Sequence, residues 1–167
     1  MDAPSASLRV GLAAVFIALG VVLAPFHFPV GPTKCYPFQH MVNALVGIFL
    51  GPWYAAAIAT AIGVIRNMLG VGTIFAFPGG IPGGVVVGII HRYVWRTDYA
   101  ALTEPLGTVV IGATLSALVV GPMIGRTMSL LAFWVAFSVS SIPGSVLGFL
   151  VVKVLRRTGV ADRIFLR

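Results

Sequence analysis

Apolar residues fill this chain in long runs, and polar residues appear mainly where those runs stop. The first run, LRVGLAAVFIALGVVLAP, ends at Pro25, and FQHMVNALVGIFLG follows, closed by Gly51-Pro52. WYAAAIATAIGVIRNML reaches a break at Gly70, after which a glycine–proline stretch, GVGTIFAFPGGIPGG, leads into VVVGIIHRYVW. The fifth run is PLGTVVIGATLSALVVGPMIG, and the sixth, MSLLAFWVAFSVSSIPGSVLGFLVVKVL, carries Pro143-Gly144 near its middle. About 20 apolar residues cross a hydrocarbon core as a helix. The pattern therefore predicts an all-α integral membrane bundle of six transmembrane helices. The second and fourth are shorter than an ideal span. Short or broken membrane helices survive only where their freed backbone groups face protein or a watery cavity, so these two point to a pocket. PGGIPGG, residues 78–84, reads either as a plain helix-to-helix turn or as a loop shaped around a ligand.

Composition supports the membrane assignment: 59% of residues are hydrophobic and 9% charged, against about 25% charged in soluble domains. The net charge of +7 comes from cations at the ends of apolar runs and in the C-terminal tail. No basic patch with interleaved aromatics appears, which argues against nucleic-acid binding. With both termini cytoplasmic, Arg9, Arg92, Arg96, Lys153, Arg156, Arg157, Arg163 and Arg167 fall inside, and Lys34, Arg66 and Arg126 outside. That bias satisfies the positive-inside rule. The chain reads as one domain, 1–167, with 157–167 a short basic cytoplasmic tail, in a cell membrane. Residues 8–24 look superficially like a signal peptide, but no small-x-small cleavage site follows, and they read as a retained first span.

Several chemistries are excluded. A single Cys35 forms no intrachain disulfide and no cysteine-based zinc site. The acids Asp2, Asp98, Glu104 and Asp162 are assigned to tails or to the loop between the fourth and fifth helices. On that assignment no carboxylate sits in the membrane as a proton relay or ion ligand, and paired-carboxylate catalysis is absent. His27, His40 and His91 are not at metal-ligand spacing, so no metal or other cofactor is expected. No base accompanies Ser138, Ser140, Ser141 or Ser145, which are expected to satisfy carbonyls near Pro143 or to line the bundle. No GxxxxGK[ST] motif occurs, so the chain is not read as an enzyme acting on ATP, and active transport would need a partner to supply energy.

The candidate chemistry lies in GPTKCYPFQHMVN, residues 31–43. His40, Asn43 and Gly47 share one helical face, and Gln39 and Asn43 are i, i+4 neighbours. Lys34, Tyr36 and Phe38 precede them. The third helix ends in Arg66-Asn67. An intramembrane arginine costs at least about 2.5 kcal/mol and here has no acid on its side of the bundle. It is satisfied by carbonyls, water, a ligand, or by snorkelling to headgroups. Small residues form three stripes, Gly11/Ala14/Ala18, Ala55/Ala59/Gly63 and Thr108/Gly112/Ser116, of the kind that lets membrane helices pack closely.

GPTKCYPFQHMVNALVGIFLGPWYA and IGVIRNMLGVGTIFAFPGG together resemble the ThiW family, the substrate-binding S components of energy-coupling-factor (ECF) transporters assigned to a thiazole precursor of thiamine. The resemblance runs from about Leu8 to the end of the sixth helix. It implies a six-helix protein that captures hydroxyethylthiazole from the outer face. It also implies a first helix whose AxxxA pattern, Ala14 to Ala18, docks with Gly11 onto a transmembrane coupling subunit driven by two ATPase subunits. The substrate-binding set is then Lys34, Tyr36, Phe38, Gln39, His40, Asn43, Arg66, Asn67, Phe75 and Phe77. Aromatics and amides suit the neutral alcohol, whereas Lys34 and Arg66 equally suit its phosphate ester. An S component for another vitamin-like ligand, a membrane enzyme acting on lipids and a ligand-free structural protein are the competing classes.

Overall fold

The structure, a computed structural model, describes residues 5–30, 33–126 and 128–165. Its elements run α1 (Ala6–Val22), β1 (Phe28–Val30), β2 (Thr33–Cys35), α2 (Pro37–Phe49), α3 (Pro52–Met68), α4 (Ala76–Ile89), α5 (Asp98–Met123), α6 (Leu130–Arg157) and α7 (Val160–Phe165). Each of the six apolar runs holds one helix, and α5 and α6 are long and apolar enough to cross a membrane. The all-α expectation needs one amendment. The two strands form a small antiparallel hairpin, with Phe28 opposite Cys35 and Pro29 opposite Lys34. Gly31 and Pro32 of the candidate stretch lie outside the described residues.

Local chemistry explains the boundaries. Ser5 and Ser129 cap α1 and α6, their hydroxyls accepting from the amides of Leu8 and Ala132. α2 and α3 both open on proline, whose missing N–H costs nothing in a first turn. Between them Gly51 takes φ +87°, a left-handed conformation that lets the chain reverse without a linker.

Two expected boundaries move. PGGIPGG is neither turn nor loop: α4 starts at Ala76 and carries the whole segment, Pro82 included, inside the helix. Each helical glycine costs about 1 kcal/mol relative to alanine, and close packing offsets that cost. An added Cβ on Gly80 would meet Gln39, on Gly84 it would meet Ala55, and on Gly88 it would meet Pro52. On the other side of α4, Gly83 lies against Glu104 and Thr108 of α5. α5 answers with Gly107 and Gly112, seated on the carbonyls of Pro82 and Pro78. Pro82 has no N–H to give Pro78, so that carbonyl is free of a helical partner where Gly112 approaches it.

α5 likewise starts earlier than its apolar run. It opens with a 3₁₀ turn from Asp98 to Thr103 and places Glu104 inside the bundle. Asp98 makes ion pairs with Lys153 (3.1 Å) and Arg156 (2.5 Å), tying the start of α5 to the end of α6. The segment 157–167, expected as a tail, contains α7. Ala161 is buried and Phe165 stacks on Phe49 at 4.1 Å between ring centroids.

The main apolar cluster joins Val42, Leu45 and Val46 of α2 with Ile58 and Ile62 of α3, Val87 of α4 and Val152 of α6. Two of the small-residue stripes, Ala55/Ala59/Gly63 and Thr108/Gly112/Ser116, are buried, while Gly11, Ala14 and Ala18 face outward.

The α4–α5 contact gives a direct test. Gly112→Val drives a side chain into the Pro78 carbonyl and should destabilise the fold by about 1–3 kcal/mol or more, read as a lower thermal unfolding midpoint in detergent. Gly11→Ala, where nothing lies within 4 Å, should leave the midpoint unchanged or raise it. Equal behaviour of the two variants would contradict this packing.

Candidate ligand-binding site

The hairpin is anchored by its last residues. Cys35 donates a weak sulfur hydrogen bond to the Ala136 carbonyl at 3.7 Å, and the Tyr36 amide donates to Ser140 Oγ at 2.8 Å. The Tyr36 hydroxyl donates across to the Val71 carbonyl at 2.9 Å. Tyr36 thus ties α6 to the segment after α3. Beneath it, the first turn of α2 points Gln39 and His40 at the space between α4 and α6.

That space is a cavity of ≈ 50 Å³ lined by Lys34, Tyr36, Gln39, His40, Thr73, Phe75, Ala76, Gly79, Ala136, Phe137 and Ser140. Phe75 and Phe137 both pack on Phe133, at 5.0 and 5.9 Å between centroids, which fixes the aromatic wall. Lys34 and Thr73 are exposed and form the rim.

Two buried charges stand behind the floor. Arg66, 1% exposed, donates through Nη1 to Gln39 Oε1 and lays its guanidinium over the Tyr36 ring, 3.9 Å from the centroid. Its Nε and Nη2 are buried without a hydrogen-bond partner. Glu104, fully buried, gathers three groups on one oxygen: His40 Nδ1 at 2.8 Å, Asn43 Nδ2 at 3.1 Å and Thr108 Oγ1 at 2.7 Å. Its Oε2 has no partner. Asn43 also donates to the Gly80 carbonyl at 3.0 Å, and Thr108 Oγ1 lies 2.8 Å from the Gly79 carbonyl. The network therefore clamps α2, α4 and α5 together.

Of the ten residues named from sequence, Lys34, Tyr36, Gln39, His40 and Phe75 line the cavity. Asn43 and Arg66 stand one layer behind it. Phe38, Asn67 and Phe77 lie elsewhere. Phe38 meets Phe26 edge-on at 6.3 Å, and Phe77 packs against Gly63. Asn67 donates to the carbonyls of Gly63 (2.8 Å) and Thr73 (3.1 Å), so it shapes the segment carrying the rim. Phe137 and Ser140 of α6 also line the cavity: Ser140 is one of four serines near Pro143 that the sequence does not tell apart, and Phe137 is one apolar residue among many in that helix.

Glu104 is the substantive correction. Assigned to a loop, it is a carboxylate buried inside the bundle, so the inference that no acid sits there falls. With it falls one argument against proton-handling chemistry and against a membrane enzyme. A signal was present: Glu104 continues the Thr108/Gly112/Ser116 stripe one turn backward at i, i+4 spacing. Of the serines near Pro143, Ser145 donates to the Ile142 carbonyl at 2.9 Å, while Ser140 serves the hairpin.

The chain folds as an apolar helical bundle in which two helices are long and apolar enough to cross a membrane, around a small polar-floored cavity. The family model for thiamine-precursor transporter protein (ThiW) matches residues 10–158, and the chain belongs to that family. No curated protein and no solved structure matches it.

Removing Glu104 should be far costlier than removing Asp98. Glu104→Ala leaves His40 and Asn43 unmatched in the interior and should lower stability by about 3–5 kcal/mol. Asp98→Ala breaks a partly exposed cluster and should cost about 1 kcal/mol or less. Thermal unfolding of both variants in the same detergent checks the difference.

Proposed function

We propose that this chain is the substrate-capture subunit, or S component, of an ECF importer, and that it binds hydroxyethylthiazole. The observation that carries this is the cavity: Tyr36, Phe75 and Phe137 stand over a floor of Gln39 and His40, in a chain of a thiamine-precursor transporter family. Aromatic walls with a few fixed polar groups suit a small ring bearing a hydroxyl. At ≈ 50 Å³ the cavity has room for a few waters. The exposed side chains of Lys34 and Thr73 border its rim.

In this reading α1 to α6 are six spans of a plasma-membrane protein with both termini cytoplasmic, and the hairpin and rim face outward. The exposed face of α1, with Gly11, Ala14 and Ala18, is free for the transmembrane coupling subunit, and two ATPase subunits supply the energy. The chain itself is not an enzyme.

A second reading, the phosphate ester of the same alcohol, is favoured by Lys34 on the rim and by the unpartnered Nε and Nη2 of Arg66 behind Tyr36. Equilibrium binding by the purified protein separates the two. Hydroxyethylthiazole should bind most tightly, its phosphate more weakly, and an unrelated vitamin not at all. Tighter binding of the phosphate would select the second reading, and no preference over the unrelated vitamin would end both.

The docking assignment is tested apart from binding. Ala14→Leu with Ala18→Leu should leave ligand affinity unchanged while abolishing uptake and co-purification with the coupling subunit. Undiminished uptake would make α1 an ordinary lipid-facing helix.

A further inference from the structure

Arg66 and Glu104 are the formally charged side chains buried completely among the described residues. They do not touch each other. Each instead takes one of two consecutive residues of α2: Arg66 holds Gln39, and Glu104 holds His40. Both held residues line the cavity, and neither charge does.

A guanidinium stays protonated and can only donate, so Gln39 must turn its oxygen to Arg66. The amide's remaining groups are its N–H donors. His40 sits directly against Glu104, and both are buried. A neutral imidazole has a single N–H. Nδ1 lies 2.8 Å from the carboxylate oxygen, so a neutral His40 that donates to Glu104 carries its proton there. Nε2 then carries a lone pair, on the part of the ring left for the cavity.

We propose that Arg66 and Glu104 act as positioning residues that fix the hydrogen-bond polarity of the cavity floor. Gln39 offers donors, His40 offers the Nε2 acceptor, and the floor selects a neutral ligand whose hydroxyl accepts from one and donates to the other. The choice of ligand rests on the thiazole-alcohol reading above. The tautomer of His40 does not.

The test uses the full chain in lipid nanodiscs with ¹⁵N-labelled histidine. The chain has three histidines, and His40→Asn identifies the resonance of interest. Wild-type His40 should show a protonated Nδ1 and a bare Nε2 at neutral pH. Glu104→Gln, whose amide oxygen still accepts, should keep that tautomer, and Glu104→Leu should lose it. Should the leucine variant fail to fold, the wild-type spectrum decides alone, because a protonated Nε2 or an imidazolium overturns the proposal. In parallel, the methyl ether of hydroxyethylthiazole, which cannot donate, should bind roughly 10- to 100-fold more weakly than the alcohol. Equal affinities would overturn selection by the floor. If neither compound binds while His40 shows the expected tautomer, the thiazole reading fails and the floor polarity stands.

Discussion

A carboxylate buried among hydrocarbon side chains imposes its needs on everything around it. Glu104 draws His40 and Asn43 from α2 and Thr108 from its own helix onto a single oxygen. An unpaired charge in such a place would be neutralised or would unfold the site. Asn43 and Thr108 also reach the Gly80 and Gly79 carbonyls, so α2, α4 and α5 are held in one register before any ligand is considered. His40 cannot rotate freely and Asn43 is spent on the frame. The cavity inherits a floor whose groups are already committed on one side.

The glycines of α4 make that arrangement possible. A side chain at Gly83 would occupy the space of Glu104 and Thr108, and one at Gly80 would displace Gln39. The helix gives up intrinsic stability at these positions and gains close approach of α2 and α5 from opposite sides. In lipid, where apolar surface has no water to escape, such packing and interhelical hydrogen bonds hold helices together. The glycine helix and the polar network are thus one device.

How much of this the sequence shows depends on which signal dominates locally. Long apolar runs carry their own evidence, so the helices in α1 to α6 were legible, and so was the polar cluster on α2. PGGIPGG misleads because glycine and proline are read by their propensity, and tertiary packing overrides propensity here. Glu104 misleads because DYAALTEP, where α5 begins, lacks apolar periodicity. A charge beside a proline reads as loop, although the i, i+4 stripe through Thr108 and Gly112 continues back to it. Tyr36 and Phe38 have equal claims in sequence. The hairpin's anchorage to Ser140 decides between them, turning Tyr36 into the cavity and Phe38 toward Phe26.

The separation of Arg66 from Glu104 has a consequence for recognition. Had the two formed a direct ion pair, each would have satisfied the other, and Gln39 and His40 would have been free to turn their amide and ring to suit any occupant. Interposing one neutral residue before each charge transmits the sign of the charge to the cavity without placing the charge there. A donor and an acceptor set in this way discriminate by hydrogen-bond polarity, at a site with no formal charge on its floor to attract ions indiscriminately. Lys34, exposed at the rim, is then the positive group nearest an arriving ligand. Its long-range attraction is screened by salt over about 10 Å, so it bears on the approach of a solute more than on its selection.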